Sequence, residues 1–382
     1  MTNKLKIVYC TPALYMPGGV ERVLCTEVNW LAEHTAYDIY IILTDGYGKE
    51  PYYPISEKVK IINLNLNYEQ LWFLPFLKKA FVYTKLQKKY KKALSKTLID
   101  ISPDITISLL RREINFLSSI NDGSKKIGWL HVNRMNYRNF EPNEQTFTKK
   151  IFSKYWSHNL LKKLKKLDSF VVLSNEDKQN WKELHNTTVI YNPQPDLPYK
   201  QSCLDNKKVL AIGRYVFQKG FDLLLKAWCH VHQQHPDWTL TIYGDGNRNY
   251  YKDLKDKYNL GDSVLLNGAV TNITDKYAES SIFVLSSRFE GFGMVLIEAM
   301  ASGVPCISFA CPCGPSDIIT NNVDGLLVQA EDTDELTRRI CELIENKDLL
   351  FKLSRNGMKS VNRFNIDSIM NKWVELFNSV VK

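Results

Sequence analysis

The 382-residue sequence lacks the cysteine spacing of a disulfide framework or a zinc module. Its eight cysteines are scattered and include no Cys-x-x-Cys pair, whereas secreted disulfide-rich domains are smaller and denser in cysteine. Cys311 and Cys313 lie close together, but a zinc site needs further ligands that the neighbouring sequence does not supply. We therefore expect reduced thiols in a cytosolic compartment.

Long apolar runs are also missing. No window approaches the roughly 18 uninterrupted apolar residues of a transmembrane helix. Near the amino terminus, the apolar run that follows the first lysines spans about five residues, which is too short for the core of a signal peptide. We interpret it as a first buried strand.

Acidic residues are scarce in one part of the chain, although the net charge is only +9. The first basic segment, residues 71–96, has eight lysines and no acid. Its apolar residues recur at every third or fourth position, which predicts an amphipathic helix with most lysines on the opposite side. The apolar set is Phe73, Phe76, Ala80, Tyr83, Leu86, Tyr90 and Leu94.

The second basic segment, residues 148–167, has seven lysines together with Phe152, Tyr155 and Trp156. Two interpretations of the basic segments stay open. They are either surface helices with solvated lysines, or faces that bind anionic lipid headgroups at ~1 kcal/mol per lysine. Nucleic acid is disfavoured as a partner, because the sequence has no recognisable nucleic-acid-binding motif.

Short β-rich runs alternate with helical ones through the whole chain, and 44% of the residues are hydrophobic. This alternation predicts parallel strands with crossover helices, an α/β fold with a doubly wound sheet. The pattern stops at a stretch rich in proline around residue 195 and then begins again. We therefore predict two similar domains, 1–194 and 195–364, followed by an amphipathic segment, 365–382, that closes back onto the first domain. The predicted strands are LKIVYC, DIYIILT, DITISLL, KKIGWLHV and SFVVLS, then KVLAIGR, LTIYGDG, SVLLNGA, IFVLSS, PCISF and GLLVQ.

Three strand-end loops carry candidate site residues, because ligands of such sheets bind beyond the carboxyl ends of the strands. Gly18 and Gly19 open the helix predicted at 19–34, where backbone amides can receive a phosphate, although the pair taken alone favours a tight turn. Arg214 and Lys219 follow a strand, and two cations in such a loop suit a diphosphate. His131 ends another strand, where a histidine is either functional or hydrogen-bonded in the core.

The segment SSRFEGFGMVLIEAMASGVP places Glu290 before a predicted helix and Glu298 two turns inside it. Gly291 and Gly293 weaken helix initiation, each at ~1 kcal/mol relative to alanine in a helix interior. Amides at the helix start would face an anion, while the two carboxylates would accept hydrogen bonds from hydroxyl groups. A ligand that combines phosphate with hydroxyls is a sugar nucleotide.

With these motifs the sequence resembles the retaining glycosyltransferases of family 4, or group 1, typified by bacterial lipopolysaccharide and phosphatidylinositol transferases. The resemblance covers nearly the whole chain and is strongest from LAIGRYVFQKGFDLLLKAW to CGPSDIITNNVDGLLV. It implies the GT-B fold, two Rossmann-like domains facing across a cleft. The first would bind the acceptor and the second the nucleotide sugar.

The resemblance also implies a role for each candidate residue. Gly18 and Gly19 would contact the donor diphosphate and sugar, and His131 would lie on the sugar side. Arg214 and Lys219 would hold the diphosphate. The implied catalytic set is His131, Arg214, Lys219 and Glu290, and the implied donor-binding set is Gly18, Gly19, Val270, Gly291, Phe292, Gly293, Met294, Val295 and Glu298.

The implied reaction uses a UDP-sugar of the galactose or glucose type, or an N-acetylated relative, and retains the anomeric configuration. Arg214, Lys219 and helix-end amides would stabilise the leaving UDP without an obligatory metal. The Asp-Thr-Asp triplet at 332–334 is interpreted as a helix cap rather than a metal site.

The basic segments favour a lipid or lipid-linked acceptor and a location on the inner face of the cytoplasmic membrane. A soluble or capsular glycan acceptor stays open. A UDP-sugar isomerase or hydrolase and a noncatalytic binding subunit are alternatives on the same fold.

Overall fold

The computed structural model describes residues 4–137 and 147–382, and all their side chains except those of residues 76–77 and 147–155. The chain divides into two compact units. Unit 1 comprises Met1–Leu173, Asp177–Pro193 and Ile366–Lys382, and unit 2 comprises Ser174–Glu176 and Gln194–Asn365.

Unit 1 is built on a seven-stranded sheet whose paired strands are all parallel. Parallel neighbours need crossover connections, and helices supply most of them. The strands are β1 (Lys6–Thr11), β2 (Asp38–Leu43), β3 (Lys60–Asn63), β4 (Ile105–Ser108), β5 (Lys125–Trp129), β6 (Ser169–Val172) and β7 (Thr187–Val189). Their order in the sheet is β3-β2-β1-β4-β5-β6-β7. The helices along this part of the chain are α1 (Gly19–His34), α2 (Phe76–Ile101), α3 (Phe147–Leu164) and α4 (Asn175–Asn180).

Unit 2 repeats this design with six parallel strands. They are β8 (Lys208–Ile212), β9 (Thr239–Tyr243), β10 (Val264–Asn267), β11 (Ile282–Leu285), β12 (Cys306–Phe309) and β13 (Leu326–Val328). The order is β10-β9-β8-β11-β12-β13, the arrangement of a Rossmann sheet. The helices are α5 (Phe221–Gln234), α6 (Asn249–Lys257), α7 (Ile273–Ala278), α8 (Met294–Ala301), α9 (Pro315–Ile318), α10 (Thr333–Glu345) and α11 (Lys347–Ser360). The doubly wound parallel sheets predicted from the alternation are confirmed.

The central strands are continuous apolar runs because both faces of a parallel sheet are covered. All four residues of β11 are buried, as are all four of β12. Edge strands differ: β3 has no buried residue and β7 has one. These two edge strands were absent from the sequence prediction, because half-exposed strands of three or four residues leave little apolar pattern.

Helix α2 contains the first basic segment, and its apolar stripe is buried only over its second half. Leu86, Tyr90 and Leu94 lie in the core of unit 1. Phe73, just before the helix, and Ala80 belong to the predicted apolar set but are exposed. The side chain of Phe76 lies outside the described residues. The first turns of α2 therefore extend past the hydrophobic core of unit 1, which covers only the later turns.

The last helix, α12 (Ile366–Val381), packs on unit 1. The ring centroids of Trp373 and Trp129 lie 5.2 Å apart, and those of Phe377 and Tyr37 lie 6.5 Å apart. The apolar face of α12 thus packs against aromatic side chains in the core of unit 1. Within the described ranges, no helix has the length and apolar character needed to cross a membrane.

Candidate active site

The carboxyl ends of β8 and β11 position most of the predicted site residues of unit 2. β8 pairs with β9 on one side and with β11 on the other, so the strand order reverses between β8 and β11. Ligands bind at such a switch point in open α/β sheets. Arg214 and Lys219 follow β8 and Glu290 follows β11, so the topology brings the two predicted loops together.

Lys219 and Glu290 form an ion pair at this switch point. Lys219 Nζ lies 2.6 Å from Glu290 Oε1, and only 16% of the lysine side chain and 8% of the glutamate side chain are exposed. Ser287 Oγ donates a second hydrogen bond to the same oxygen, at 2.6 Å. Two donors on one carboxylate oxygen fix the orientation of Glu290. The sequence analysis did not single out Ser287.

Glycines allow the two loops to approach. Gly220 has a φ of +60°, and a Cβ at this position would lie 2.0 Å from the carbonyl oxygen of Ser286. Only glycine avoids both the strain and the clash. The methylene groups of the Lys219 side chain pack over Gly213, where a Cβ would lie 2.9 Å from Lys219 Cδ. The position of the Lys219 ammonium group therefore depends on glycine at 213 and at 220.

Arg288 joins the same loops through a second set of contacts. Its guanidinium donates to both carboxylate oxygens of Asp222, at 2.9 and 2.7 Å, and to the carbonyl oxygen of Phe217 at 2.8 Å. It also lies 3.9 Å from the centroid of the Phe217 ring. The hydrogen bonds to Asp222 raise the pKa of Arg288. The sequence analysis missed this clamp, although both charged residues stand within three positions of predicted ones.

Helix α8 begins directly after the Glu290 loop. Gly293 precedes its first residue, Met294, with a φ of +102°, a conformation that favours glycine. Gly291 lies in the turn before it, and Phe292 is buried. The first amides of a helix have no partner within the helix and carry its positive dipole end. The amides of Phe292, Gly293 and Met294 thus follow Glu290 directly in the sequence.

Glu298 lies in the second turn of α8 and is buried. Tyr277 Oη donates to Glu298 Oε2 at 3.0 Å and lies 3.3 Å from the carbonyl oxygen of Val295. Both predicted carboxylates are therefore held by hydroxyl groups, from Ser287 and Tyr277. Tyr277 was not predicted, because it follows a different strand and only folding brings it to α8.

The two remaining predicted residues of unit 2 are more accessible. Arg214 is exposed, and in the part of the chain that the structure describes its side chain forms no ion pair. Val270 is half-buried in the loop after β10. Both follow the carboxyl ends of strands in the same sheet. The Asp-Thr-Asp triplet at 332–334 is the predicted cap, since the Asp332 side chain accepts hydrogen bonds from the amides of Asp334 and Glu335. The described residues contain no cluster of three histidine, cysteine or acidic side chains that could hold a metal ion.

Gly18, Gly19 and His131 belong to unit 1. Gly18 precedes α1, and a Cβ there would lie 2.0 Å from Glu21 Oε2, whereas a Cβ at Gly19 would meet no atom within 4 Å. His131 follows β5, and its ring centroid is 4.1 Å from that of Trp129. Burial, with a smaller effect from Arg111, lowers the pKa of His131 to about 3. Its imidazole is therefore neutral at physiological pH.

Comparisons with known proteins place these features in a family. The model of the family "Glycosyl transferases group 1" matches residues 199–360, which contain all the predicted site residues of unit 2. An uncharacterised glycosyltransferase of Haemophilus influenzae is 30% identical over 364 residues, covering 93% of this chain and 95% of that protein.

Two further proteins resemble the chain over nearly its full length. A Campylobacter jejuni enzyme, GalNAc-alpha-(1->4)-GalNAc-alpha-(1->3)-diNAcBac-PP-undecaprenol alpha-1,4-N-acetyl-D-galactosaminyltransferase, is 26% identical, covering 95% of this chain and 96% of that enzyme. The crystal structure of a TarM mutant of S. aureus, in complex with fondaparinux, alpha-GlcNAc-glycerol and UDP, matches with a TM-score of 0.76 at 17% identity, covering 98% and 100% of the two chains. The structural likeness confirms the predicted GT-B fold.

Proposed function

Because the chain belongs to the group 1 glycosyltransferases, we propose that it transfers a hexose or N-acetylhexosamine from a UDP-sugar to a lipid or lipid-linked glycan. The anomeric configuration is retained, so the product is an alpha-glycoside. Unit 2 binds the nucleotide sugar and unit 1 the acceptor.

The Lys219–Glu290 pair at the switch point of unit 2 is the observation that carries this proposal. Glu290 balances the charge of Lys219, whereas Arg214 is exposed and unpaired within the described residues. The loop therefore offers net positive charge to a diphosphate, and the amides at the start of α8 add donors. Glu290 receives the hydroxyls of the donor sugar and Glu298 those of the ribose. Val270 contacts the base through its backbone, and Gly18, Gly19 and His131 contact the donor.

The mechanism follows from where charge develops. As the bond between the sugar and UDP breaks, negative charge grows on the diphosphate, and Arg214 and Lys219 stabilise it in the transition state. The leaving phosphate oxygen takes the proton of the acceptor hydroxyl, which attacks from the face that UDP leaves. Neutral His131 donates or accepts a hydrogen bond without adding charge. No metal is required for these steps. UDP is supported as the nucleotide by the TarM complex, and an alpha linkage by the name of the Campylobacter enzyme.

A membrane acceptor is supported by the surface of the first basic segment. Trp72, Phe73 and Phe81 are 60%, 87% and 73% exposed, and the eight lysines of the segment are all exposed. Exposed aromatics beside lysines suit the interface of an anionic bilayer. In the second basic segment, Lys162, Lys165 and Lys166 are exposed, while the side chains of residues 148–155, with Phe152 and Tyr155, lie outside the described residues. We place the protein on the inner face of the cytoplasmic membrane.

The donor is tested with a panel of UDP- and GDP-sugars, first by hydrolysis without acceptor and then with lipid-linked and soluble acceptors. A glycoside product with alpha configuration is expected, with one UDP-sugar preferred. Lys219→Ala and Arg214→Ala should each lower turnover by orders of magnitude while the protein stays folded. Free sugar as the sole product would instead indicate a hydrolase, and near-normal turnover in both variants would contradict the roles of these cations.

Membrane binding is tested by sedimentation with liposomes, with and without anionic lipid, at low and high salt. Salt-sensitive pelleting with anionic liposomes is expected. Phe81→Ala should reduce it, and Phe351→Ala provides a control, because Phe351 is a phenylalanine exposed on unit 2. If the wild-type protein stays in the supernatant under all conditions, the membrane proposal is wrong.

A further inference from the structure

The last helix, α12, supplies part of the aromatic core of unit 1. Its buried residues are Ile369, Met370, Trp373 and Phe377, a spacing that places them on one face of the helix. Trp373 and Phe377 have no solvent exposure. The chain enters this core only after it has built unit 2, because it returns to unit 1 at Ile366.

Trp373 packs on Trp129, the last residue of β5. Their ring centroids lie 5.2 Å apart with an interplanar angle of 77°, which is the edge-to-face arrangement that aromatic pairs favour. Tyr9 of β1 makes a second edge contact with Trp129, at 6.5 Å and 65°. Trp129 is only 1% exposed, so its indole cannot change orientation unless these neighbouring rings move.

His131 is the next ring in this series of contacts. Side chains alternate along a strand, and the Leu130 amide continues the pairing of β5 by donating to the carbonyl oxygen of Val171 at 2.9 Å. Trp129 and His131 therefore project from the same face of the sheet. Their ring centroids lie 4.1 Å apart, with an angle of 53° between the planes. Trp129 thus contacts both His131 and Trp373.

Burial keeps the His131 imidazole neutral. Its Nε2 is shielded from solvent, and the residues that the structure describes offer it no hydrogen-bond partner. Burial is the main cause that lowers its pKa to about 3, and the charge of Arg111 adds to the effect. Tyr9 and Glu27, which contact Trp129 and Trp373, favour their uncharged forms, because burial raises the pKa of each. The state of His131 therefore depends on rings that keep water away from it.

We propose that Trp373 is a positioning residue for His131, because through Trp129 it fixes the orientation of the imidazole and excludes water from it. This inference rests on the proposed function, in which His131 contacts the donor, and deepens it by giving α12 a role at that site. A smaller side chain at position 373 would leave a cavity beside Trp129. Trp129 would then move away from His131, since closely packed interiors transmit such changes to their neighbours.

The inference is tested by NMR titration of isotope-labelled histidine in the full chain. The chain has seven histidines, and His131→Gln identifies the resonance of His131. In the wild type this resonance should not shift between about pH 5 and 8. In Trp373→Leu the pKa of His131 should rise from about 3 towards its ordinary value of 6.5, so the resonance should titrate in this range. Trp373→Phe restores an aromatic ring and should behave like the wild type.

Phe377→Leu is the matched control on the same helix. The Phe377 ring lies 6.5 Å from Tyr37 and 5.5 Å from Trp373, and among the described residues it makes no ring contact with Trp129. This variant also loses a buried aromatic side chain, but it should leave the His131 resonance unchanged. Near-UV circular dichroism verifies that each variant is folded. Trp373→Met leaves a smaller cavity than Trp373→Leu and should give the same change of the resonance with a smaller amplitude.

Turnover provides a second readout. Trp373→Leu should lower glycosyl transfer roughly 10- to 100-fold, because a small misplacement of a group at the site has an effect of this size. Its Kd for UDP should stay at the wild-type value, because His131 lies on the sugar side of the donor.

An unchanged His131 resonance in folded Trp373→Leu would overturn the inference. An equal shift in Phe377→Leu would overturn it too, since any loosening of α12 would then have the same effect. The titration involves no turnover, so it is separate from the proposed function, whose failure would appear as absent glycoside formation by the wild type.

Discussion

Glu27 of α1 provides a quantitative test of the folded structure, because it is a carboxyl group with no solvent exposure. Burial raises its pKa well above the ordinary value of 4.5, and the nearby Trp373 indole opposes this only in part. Tyr9 is a titratable neighbour of Glu27, and burial together with the charge of Glu27 raises the pKa of its hydroxyl. Glu27 therefore stays protonated in the folded protein at pH values where it ionises in the unfolded chain.

The sign and size of the effect follow from proton linkage. Above pH 4.5 Glu27 holds one more proton in the folded state than in the unfolded state, so its contribution to the free energy of unfolding falls as the pH rises. The slope is about 1.4 kcal/mol per pH unit and ends at the pKa of Glu27 in the folded protein. Glu27→Gln keeps the shape and removes the ionisation. The variant should thus gain about 1.4 kcal/mol over the wild type for each pH unit in this window.

Urea unfolding followed by tryptophan fluorescence at several pH values from 4.5 upward measures this difference, with Trp129 and Trp373 as reporters in the same core. Glu33→Gln is the control on the same helix. Glu33 is exposed, and hydrogen bonds from Lys58 and Ser56 lower its pKa, so its removal should give no stabilisation that grows with pH. Parallel pH profiles for the wild type and Glu27→Gln would refute the reasoning.

Three further outcomes are expected. Gly220→Ala should destabilise unit 2 by about 1–3 kcal/mol or more, since it combines a positive φ with a clash against Ser286. Gly261→Ala is the control, because Gly261 also has a positive φ but no atom lies within 4 Å of its Cβ position, and this variant should be destabilised less. Equal unfolding temperatures for the two variants would contradict the clash. Arg288→Lys should raise the KM for the donor several-fold, because lysine cannot donate to both oxygens of Asp222; a donor titration that matches the wild type would exclude a role for the clamp. Glycosyl transfer should proceed unchanged in EDTA, and its complete loss would reveal a required metal.

The local pattern of the chain was enough to predict two parallel sheets. The central strands are buried on both faces, and therefore they appear as uninterrupted apolar runs such as IFVL in β11. The same pattern could not reveal the edge strands β3 and β7, whose residues are half-exposed. The strand-end positions of Arg214, Lys219 and Glu290 could also be read from the sequence, because a parallel sheet aligns the carboxyl ends of its strands.

The contacts that organise these residues were decided by tertiary structure. Lys219 and Glu290 are separated by 71 positions, and only the adjacency of β8 and β11 makes them an ion pair. The hydrogen bond from Tyr277 to Glu298 is likewise invisible in the sequence, because the two residues belong to different helices that only folding brings together. Periodicity records which side chains favour water or the core, which is a local property. Pairing, burial of charge and strain depend on which strands become neighbours, and no local pattern contains that information.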